Sequence, residues 1–263
     1  MIQQVLMRSY AITRQAGLWS SSAGEVLFFH AYYLYKRLLE REQSRLIRRL
    51  ARSGSLAVDI GANVGYFTKI MAEAVGERGA VLAFEPDAQN LKLMRHAFRR
   101  SGFKHITVVP AAVGERTGST LLYLNPDHPG DHRIYPVDSL RGCQEVALWS
   151  LDDYLERTNQ GRELSIIKVD VQGAELQVLH GMEKTLRRCP SANLLLEFDP
   201  QILRQAGTDP KELISFIDGL GFRPFLLKGK LGPSPSSWSE LEGLLGDGQY
   251  ADVLLSRKQV DNL

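Results

Sequence analysis

Two acidic residues lie where short apolar runs give way to turns. Asp59 follows three apolar residues in LAVDIGANVGYFTKIMAEAVG, and Glu85 follows AVLAF, twenty residues after Gly65. A carboxylate at the end of a strand attracts an ammonium or sulfonium group. An acidic residue at the place of Glu85 accepts hydrogen bonds from the 2′ and 3′ hydroxyls of a ribose. We therefore expect one ligand for both acids, a nucleoside that carries a zwitterionic, positively charged group.

The turn after Asp59 departs from the fingerprint of dinucleotide-binding proteins. Gly61 permits a tight turn, and Gly65 permits the close approach of a ligand or of neighbouring backbone. Asn63 occupies the place of the middle glycine in GxGxxG, and the third place has no glycine. A pyrophosphate would also meet the negative charge of Asp59. The turn thus favours a cationic nucleoside over a nicotinamide dinucleotide.

A strand and helix alternation positions these residues. Strands are predicted in LAVDIG, AVLAFEP, ITVVPAAVG, LSIIKVDV and NLLLEFD, with helices at Val64–Val75, Ala88–Arg99 and Glu175–Arg188. Apolar strands joined by helices indicate a parallel sheet covered on both faces, so the fold class is α/β with a doubly wound, mostly parallel sheet. Ser119–Leu124 and Glu145–Ser150 are predicted as strands of an insertion. FRPFLL and YADVLLS are the last predicted strands, joined by residues 228–249.

The first part of the chain differs from the rest in charge. Residues 1–55 carry nine Lys or Arg and three Asp or Glu, whereas the whole chain of 263 residues has a net charge of +2. We expect a helical N-terminal extension over residues 1–52 and one globular domain over residues 53–263. Residues 25–50 show an amphipathic helical pattern, which indicates packing on the domain or, alternatively, binding to a membrane surface or partner. One face carries Leu27, His30, Leu34 and Leu38, and the other carries Lys36, Arg37, Arg41 and Arg45.

Composition limits the partners and the location. A net charge of +2 is too small for nucleic acid to be the main partner. The sequence has no run of the roughly 20 apolar residues that cross a bilayer, and no secretory signal is recognisable. Cys143 and Cys189 lack the spacing of a disulfide framework or a thiolate metal site. We therefore expect a soluble cytoplasmic protein without stable membrane insertion.

Six stretches of the chain resemble FkbM-type S-adenosylmethionine-dependent methyltransferases, a Rossmann-like family. In the family's order, over roughly residues 53–258, they are VDIGANVGYFT, AFEPDAQN, VPAAVGERTG, LDDYL, IIKVDVQGAELQVLHGM and LLLEFDP. The resemblance implies S-adenosyl-L-methionine as the cofactor, and a seven-stranded sheet whose last strand, near Tyr250–Ser256, is antiparallel. The residues that it assigns to the methionine part are Asp59, Gly61, Ala62, Asn63 and Gly65. Those that it assigns to the ribose and adenine are Glu85, Pro86, Asp87, Ala111 and Ala112.

Three residues are candidates for a catalytic base. Methyl transfer is an in-line displacement that depends mainly on positioning, and a base is needed only when the acceptor is a weakly nucleophilic hydroxyl. Asp170 and Glu197 lie at predicted strand ends, and His132 lies in the inserted loop and titrates near neutral pH. Alternatively, Asp170 caps the following helix, whose first turn Glu175 stabilises, and Glu197 is simply solvated. The family commonly has glutamate where this chain has Gln172, so that negative charge is missing here.

The polar loop DHPGDHR, residues 127–133, has three interpretations, of which the simplest is a solvated surface loop. Its two Asp and two His could bind a metal, but the spacing is not that of a zinc site, so we predict no metal. The loop could instead be a lid through which His132 and Arg133 reach the acceptor.

The expected function is methylation of an oxygen atom on a small-molecule or sugar-like acceptor, and the preference for oxygen comes from the resemblance. Two alternatives are open: a nicotinamide-dependent oxidoreductase on a similar fold, and a non-catalytic nucleoside-binding module. The acceptor cannot be identified, because loops such as residues 125–136 and 228–249 build its pocket. The N-terminal helix could support an oligomer through aromatic residues or use them as a packing face. These residues are Phe28, Phe29, Tyr32 and Tyr33.

Overall fold

The computed structural model describes residues 33–34, 36–99, 102–125, 132–136, 142–158, 161–227, 233–244 and 250–258. Residues 25–32 of the predicted N-terminal helix and residues 126–131 of the inserted loop lie outside the described residues.

Strands and helices alternate along most of the described chain. The strands are β1 (Leu56–Ile60), β2 (Ala80–Phe84), β3 (Ile106–Val109), β4 (Ala112–Val113), β5 (Gly118–Tyr123), β6 (Cys143–Trp149), β7 (Leu164–Val169), β8 (Asn193–Phe198), β9 (Arg223–Leu227), β10 (Pro233–Pro235) and β11 (Ala251–Ser256). The helices are α1 (Arg41–Leu50), α2 (Tyr66–Val75), α3 (Ala88–Arg99), α4 (Leu151–Thr158), α5 (Glu175–His180), α6 (Glu183–Arg188), α7 (Pro200–Gln205), α8 (Pro210–Gly219) and α9 (Trp238–Leu244).

One large sheet has the strand order β10-β9-β11-β8-β7-β1-β2-β3. The pairs from β3 to β8 are parallel, whereas β11 is antiparallel to both of its neighbours, β8 and β9. The predicted mostly parallel sheet and its antiparallel last strand are therefore confirmed. The three-residue strand β10 adds an eighth strand at the β9 edge.

The central strands are apolar because both faces of the sheet are covered. Every residue of β1 and β7 is buried. On one face, Ala57, Ile166 and Leu195 pack beneath α1 and α2. On the other face, Val58 and Ile167 share a core cluster with residues of α5, α6 and α8. This burial explains the continuous apolar runs in the sequence.

A smaller sheet with the order β4-β6-β5 confirms the predicted insertion strands. β5 and β6 pair antiparallel over their length. Tyr123, at the end of β5, exchanges two backbone hydrogen bonds with Arg133, at 2.7 and 3.1 Å. This pairing holds residues 132–136 of the inserted loop beside the smaller sheet.

Two predicted elements are divided in the structure. ITVVPAAVG forms β3 and β4 in different sheets, because Pro110 has no N–H group to continue a ladder. The predicted helix Glu175–Arg188 is divided into α5 and α6 near Gly181. A Cβ atom on Gly181 would lie 1.9 Å from the carbonyl oxygen of Gly114, so only glycine fits this contact.

Helix α1 packs on the domain, but not through the predicted residues. Leu46, Ile47 and Leu50 are buried in the core cluster that α1 shares with α2. Leu34 and Leu38, which the pattern placed on the packing face, are 58% and 53% exposed, so that assignment was wrong. Within the described part of the chain, no helix has both the length and the apolar character to cross a membrane.

Candidate active site

A cavity of about 390 Å³ opens at the carboxyl ends of β1, β2, β7 and β8. Its volume lies within the roughly 300–1,000 Å³ that is typical of ligand pockets. The predicted site residues that line it are Gly61, Ala62, Asn63, Glu85, Pro86, Ala111, Ala112, His132, Asp170 and Glu197. The predicted residues Asp59, Gly65 and Asp87 lie behind this lining. We call the region around Glu85 and Ala111 the β2 end of the cavity.

Glu85 is held at the β2 end by N–H donors. Its Oε2 atom accepts a hydrogen bond from the Asn63 N–H at 2.7 Å, and its Oε1 atom accepts one from the Asp87 N–H at 2.8 Å. Asn63 has a left-handed φ of 51°, which asparagine tolerates better than most residues. Glu85 is only 5% exposed, and burial raises the pKa of its carboxyl group to about 7. Oε2 retains a lone pair that can accept a ligand hydroxyl, and Oε1 can accept a second hydroxyl in place of its long contact with Asn90 Nδ2 at 3.4 Å.

The wall beside Glu85 is apolar. It contains Phe84, Ala111, Ala112, Val113, Leu122 and Ile134. Small and branched apolar side chains next to a hydroxyl-accepting carboxyl group fit an adenine base joined to a ribose. Asn90, which the sequence pattern did not single out, also lines this end and lies 3.4 Å from Glu85 Oε1 through its Nδ2 atom.

The backbone N–H groups of the turn after β1 already have acceptors within the protein. Gly61 and Ala62 donate to the Phe84 carbonyl, at 3.1 and 3.0 Å. The N–H groups of residues 63–65 donate to Glu85 or to acceptors within the turn. A pyrophosphate binds to N–H groups that point at the ligand, so this turn does not fit a dinucleotide.

Gly61 and Gly65 serve different contacts. A Cβ atom on Gly61 would lie 1.9 Å from the Asp170 carbonyl oxygen, so the ends of β1 and β7 meet here. A Cβ atom on Gly65 would lie 2.7 Å from the Phe98 ring and 2.9 Å from the Met94 side chain. Gly65 therefore permits helix packing, whereas Gly61 brings Asp170 next to the cavity.

Asp59 lies beneath the turn instead of facing the cavity. It is 1% exposed and accepts a hydrogen bond from Thr68 Oγ1 at 2.6 Å. Its Oδ1 atom has no hydrogen-bond partner among the described residues. Burial raises its pKa, and the nearby Lys168 partly opposes this effect. The geometry therefore does not support the expected direct contact of Asp59 with a ligand ammonium group.

Four polar residues form a row across four strands at the other end of the cavity. Asp59 lies opposite Lys168 in the β1–β7 register, and Glu197 lies opposite Asp252 in the β8–β11 register. Each is two positions from a residue buried beneath α1 and α2, namely Ala57, Ile166, Leu195 and Leu254. Because side chains alternate along a strand, all four polar side chains point to the α1/α2 face. We call Asp59, Lys168, Glu197 and Asp252 the polar row.

Asp170 is joined to the polar row by hydrogen bonds. Lys168 Nζ donates to Asp170 Oδ2 at 2.8 Å, and Gln172 Nε2 donates to Asp170 Oδ1 at 3.2 Å and to Glu197 Oε2 at 2.8 Å. Burial opposes ionisation of Asp170, but the attraction of Lys168 prevails and holds its pKa well below the usual range. Burial and the negative charge of Asp170 raise the pKa of Glu197 well above its usual range. The two acids thus combine a stable carboxylate, that of Asp170, with a carboxyl group that binds a proton more strongly than usual, that of Glu197.

Several residues that line this end were not predicted. Asp252 Oδ2 accepts a hydrogen bond from Gln43 Nε2 at 2.5 Å, and burial together with the charge of Glu40 raises the pKa of Asp252 to about 7. Lys168 and Lys36 also line the cavity. Lys168 and Asp252 were detectable as charged residues inside apolar strands, which usually have a specific reason to be there. The contribution of Gln43 and Lys36 depends on how the N-terminal helical segment packs, which the sequence does not reveal.

His132 lines the cavity at the β2 end, away from Asp170. Its Nε2 atom lies 3.8 Å from Asp87 Oδ2, and its Nδ1 atom accepts the Asn125 N–H at 3.0 Å. A neutral ring with Nδ1 as acceptor carries its proton on Nε2, so neither nitrogen is available to take a proton from an acceptor. Arg133 donates to Tyr135 and to Gln205, at 3.1 and 2.9 Å, and is not among the lining residues. The geometry therefore disfavours the expectation that this pair reaches an acceptor.

The methyltransferase FkbM domain model matches residues 59–224. The chain belongs to this family. Among curated relatives, it is 24% identical to Methyltransferase 1 of Beauveria bassiana over 49% of this chain and 59% of that protein. It is 27% identical to the hexuronic acid methyltransferase AglP of Haloferax volcanii over 68% of this chain and 67% of that protein. The chain thus spans about three fifths to two thirds of these relatives.

A similar solved structure is methyltransferase FkbM from Methylobacillus flagellatus KT. The identity is 17% and the TM-score is 0.47, with 76% of this chain and 43% of that chain covered.

S-adenosyl-L-methionine is the cofactor that this family and this cavity support. Glu85 and the apolar wall fit its nucleoside, and the turn at residues 61–63 borders the space beyond the ribose. The ionised Asp170 near that space fits a positively charged group better than a phosphate.

Proposed function

We propose that this FkbM methyltransferase domain transfers a methyl group from S-adenosyl-L-methionine to a hydroxyl oxygen of a small-molecule or sugar-like acceptor. The supporting observation is one cavity that connects Glu85 with the carboxyl groups of Asp170 and Glu197. The name of the relative AglP, a hexuronic acid methyltransferase, is consistent with a sugar-like acceptor.

In this proposal, the β2 end of the cavity binds the cofactor. Glu85 accepts hydrogen bonds from the ribose hydroxyls, and Ala111 and Ala112 lie beside the adenine. Gly61, Ala62 and Asn63 border the methionine part. When bound, the cofactor supplies a methyl group on a sulfonium centre. His132 and Asp87 then belong to the nucleoside side of the site.

Glu197 is the proposed proton acceptor. A hydroxyl group must lose its proton as its oxygen is methylated, and a base works best when its pKa lies near the working pH. The pKa of Glu197 is raised, so its carboxylate is a stronger base than an ordinary carboxylate. Asp170, which Lys168 keeps ionised, makes a weaker base but holds Gln172 and Glu197 in place. We therefore assign proton removal to Glu197 and positioning to Asp170.

Two alternative functions, an oxidoreductase and a non-catalytic binding module, have less support from the structure. The occupied N–H groups of residues 61–65 do not favour a nicotinamide-dependent oxidoreductase. A non-catalytic module would not require a hydrogen-bonded pair of acids with opposite pKa shifts beside the cofactor site.

Calorimetric titration and a turnover assay test the proposal together. We expect S-adenosylmethionine and S-adenosylhomocysteine to bind, and NADH not to bind. A panel of hydroxyl compounds is then screened for release of S-adenosylhomocysteine. Glu197→Gln should lower turnover about 100-fold or more while cofactor affinity is retained, because a general base contributes about that much.

Glu156→Gln is the matched control, because Glu156 is exposed on α4 and outside the cavity. Binding of NADH instead of S-adenosylmethionine would contradict the proposal. Cofactor binding without turnover on any compound would favour the binding module.

A further inference from the structure

The N-terminal helical segment covers the end of the cavity that contains the polar row. Lys36, Glu40 and Gln43 line the cavity there, opposite Tyr250 and Asp252 of the β11 region. The Tyr33 hydroxyl donates to the Gly65 carbonyl at 2.9 Å. The segment is thus attached both to the turn after β1 and, through Gln43, to β11. Lys36, Glu40 and Gln43 thus form part of the cavity wall, and Tyr33 anchors the segment to the turn after β1.

The strand order separates this end from the cofactor position. Asp252 lies on β11, four strands from the β2 end, and neighbouring strands are about 4.8 Å apart, so the two ends are about 15–20 Å apart. If the nucleoside of the cofactor lies at Glu85 and its methionine part extends toward β1 and β7, the space beside Glu197 and Asp252 stays free for an acceptor. That space borders the proposed base, as an acceptor site must.

The charges at this end are arranged in pairs. Lys36 lies 2.9 Å from Glu40, and Lys168 lies 2.8 Å from Asp170. Glu197 and Asp252 instead receive hydrogen bonds from the neutral side-chain amides of Gln172 and Gln43.

Glu197 and Asp252 are therefore two carboxyl groups side by side, since directly opposed residues on antiparallel strands have Cβ atoms about 4.5–5.5 Å apart. Two adjacent carboxyl groups can each accept one hydrogen bond from neighbouring hydroxyls. An acceptor carboxylate would be repelled by the ionised Asp170, which Gln172 joins to Glu197, and by the ionised forms of Glu197 and Asp252. An aliphatic amine is an ammonium ion at neutral pH and has no lone pair for the methyl group.

We propose that the end of the cavity between residues 36–43 and β11 is the acceptor subsite, where Glu197 and Asp252 bind two neighbouring hydroxyl groups of a neutral polyhydroxylated acceptor. The inference rests on the proposed function. Asp252 touches the acceptor in this arrangement, and Gln43 is a positioning residue that acts through Asp252.

Sugar binding to the full chain saturated with S-adenosylhomocysteine tests this subsite. Three probes share one ring: methyl glucopyranoside, its uronic acid counterpart and its 2-amino counterpart. Calorimetry or ligand-observed NMR should show the neutral glycoside binding about fivefold or more tighter than either charged probe. Tighter binding of a charged probe, or binding of none of the three, overturns the inference.

Variants locate the site. Asp252→Ala should weaken binding of the neutral glycoside about tenfold, and Gln43→Ala should weaken it severalfold, while the affinity for S-adenosylhomocysteine changes less than about twofold. Asp218→Ala is the control, because Asp218 is exposed on α8. If Asp252→Ala does not fold, Gln43→Ala decides alone. Unchanged glycoside binding in the folded variants would contradict the proposed subsite. If the wild-type protein does not bind S-adenosylhomocysteine at all, the proposed function itself is wrong.

Discussion

Two carboxyl groups of the cavity, those of Glu85 and Asp170, have opposite pKa shifts. Burial raises the pKa of Glu85 to about 7, because its hydrogen bonds from backbone N–H groups only partly offset the loss of water. Asp170 is half-buried and also loses water, yet the ion pair with Lys168 lowers its pKa. The neighbour of each acid, more than its depth, determines whether it is charged at neutral pH.

Glu85→Gln tests the ribose contact. The amide replaces one acceptor oxygen with an NH₂ group, which would face the N–H of Asn63 or of Asp87. We expect the affinity for S-adenosylhomocysteine, measured by calorimetry above pH 7, to fall about 10–100-fold, corresponding to about 1.5–3 kcal/mol for hydrogen bonds to a charged group. Glu77→Gln, at an exposed position, is the control. Equal affinities for both variants would place the ribose elsewhere.

At the level of single residues, the sequence identified the acids at strand ends but not their partners. The pattern of acidic residues at the ends of apolar runs predicted Glu85, Asp170 and Glu197 as site residues, and all three line the cavity. It could not show that the Asp59 carboxyl group accepts a hydrogen bond from Thr68, or that Nδ1 of His132 accepts one from the Asn125 N–H. Those contacts join separate segments, so they depend on tertiary packing.

At the level of elements, the contact between the ends of β1 and β7 shapes the site. Gly61 has a φ of 78°, and its missing side chain leaves room for the Asp170 carbonyl. The same contact places the Asp170 side chain beside the turn that borders the cofactor position. Any atom that pushes the two strand ends apart should therefore disturb both stability and cofactor binding.

Gly61→Ala should destabilise the fold strongly. The left-handed conformation costs an alanine about 1 kcal/mol, and the clash at 1.9 Å adds to it, so we expect a total loss of about 3 kcal/mol or more in the free energy of unfolding. Gly54→Ala is a matched control, because Gly54 has a φ of 77° and no atom within 4 Å of the added Cβ. Urea denaturation of the two variants compares them. If both variants lose a similar free energy of unfolding, the ends of β1 and β7 can move apart without a loss of stability.

The alternation of elements was predictable because the central strands are largely apolar on both faces and the segments between them show apolar residues at helical spacing. The division at Pro110 has a visible cause in the sequence, but the pairing of β4 with β6 does not. Helix α1 shows most clearly what the sequence could not predict. Apolar residues occur both in α1 and before it, and packing against α2 buries Leu46 and Ile47 of α1, whereas Leu34, which precedes α1, is exposed.

Among the residues that the structure describes, the carboxyl groups of Glu85, Glu175 and Asp252 have a pKa raised to about 7 by loss of water. An acid with a raised pKa binds more protons in the folded state than in the unfolded chain. Its contribution to stability is complete below the unfolded pKa, near 4.5 for glutamate, and declines as pH rises toward about 7. These groups therefore favour the fold at mildly acidic pH.

Glu175→Gln should reduce this pH dependence. Glu175 is buried at the start of α5, accepts the Gly173 N–H at 3.1 Å, and has an Oε2 atom without a hydrogen-bond partner among the described residues. Glutamine can still accept that bond and carries no charge. We expect the free energy of unfolding to rise by about 1–3 kcal/mol at pH 8 relative to wild type and to change little at pH 5.

Glu212→Gln is the control for this measurement, because Glu212 lies in the first turn of α8 but is exposed. Chemical denaturation at both pH values provides the comparison. If the free energy of unfolding changes by the same amount between pH 5 and pH 8 in Glu175→Gln and in wild type, Glu175 does not titrate in this range.

The position of β11 between β8 and β9 has a consequence for synthesis on the ribosome. A nascent chain that has reached Leu227 contains both neighbours of β11, but their facing edges remain open until residues 251–256 emerge. Open edges of apolar strands pair readily with other chains, so we expect the nascent chain to be prone to aggregation during this interval. Because β11 also carries Asp252, the enzyme cannot assemble its complete pocket before that late segment is translated.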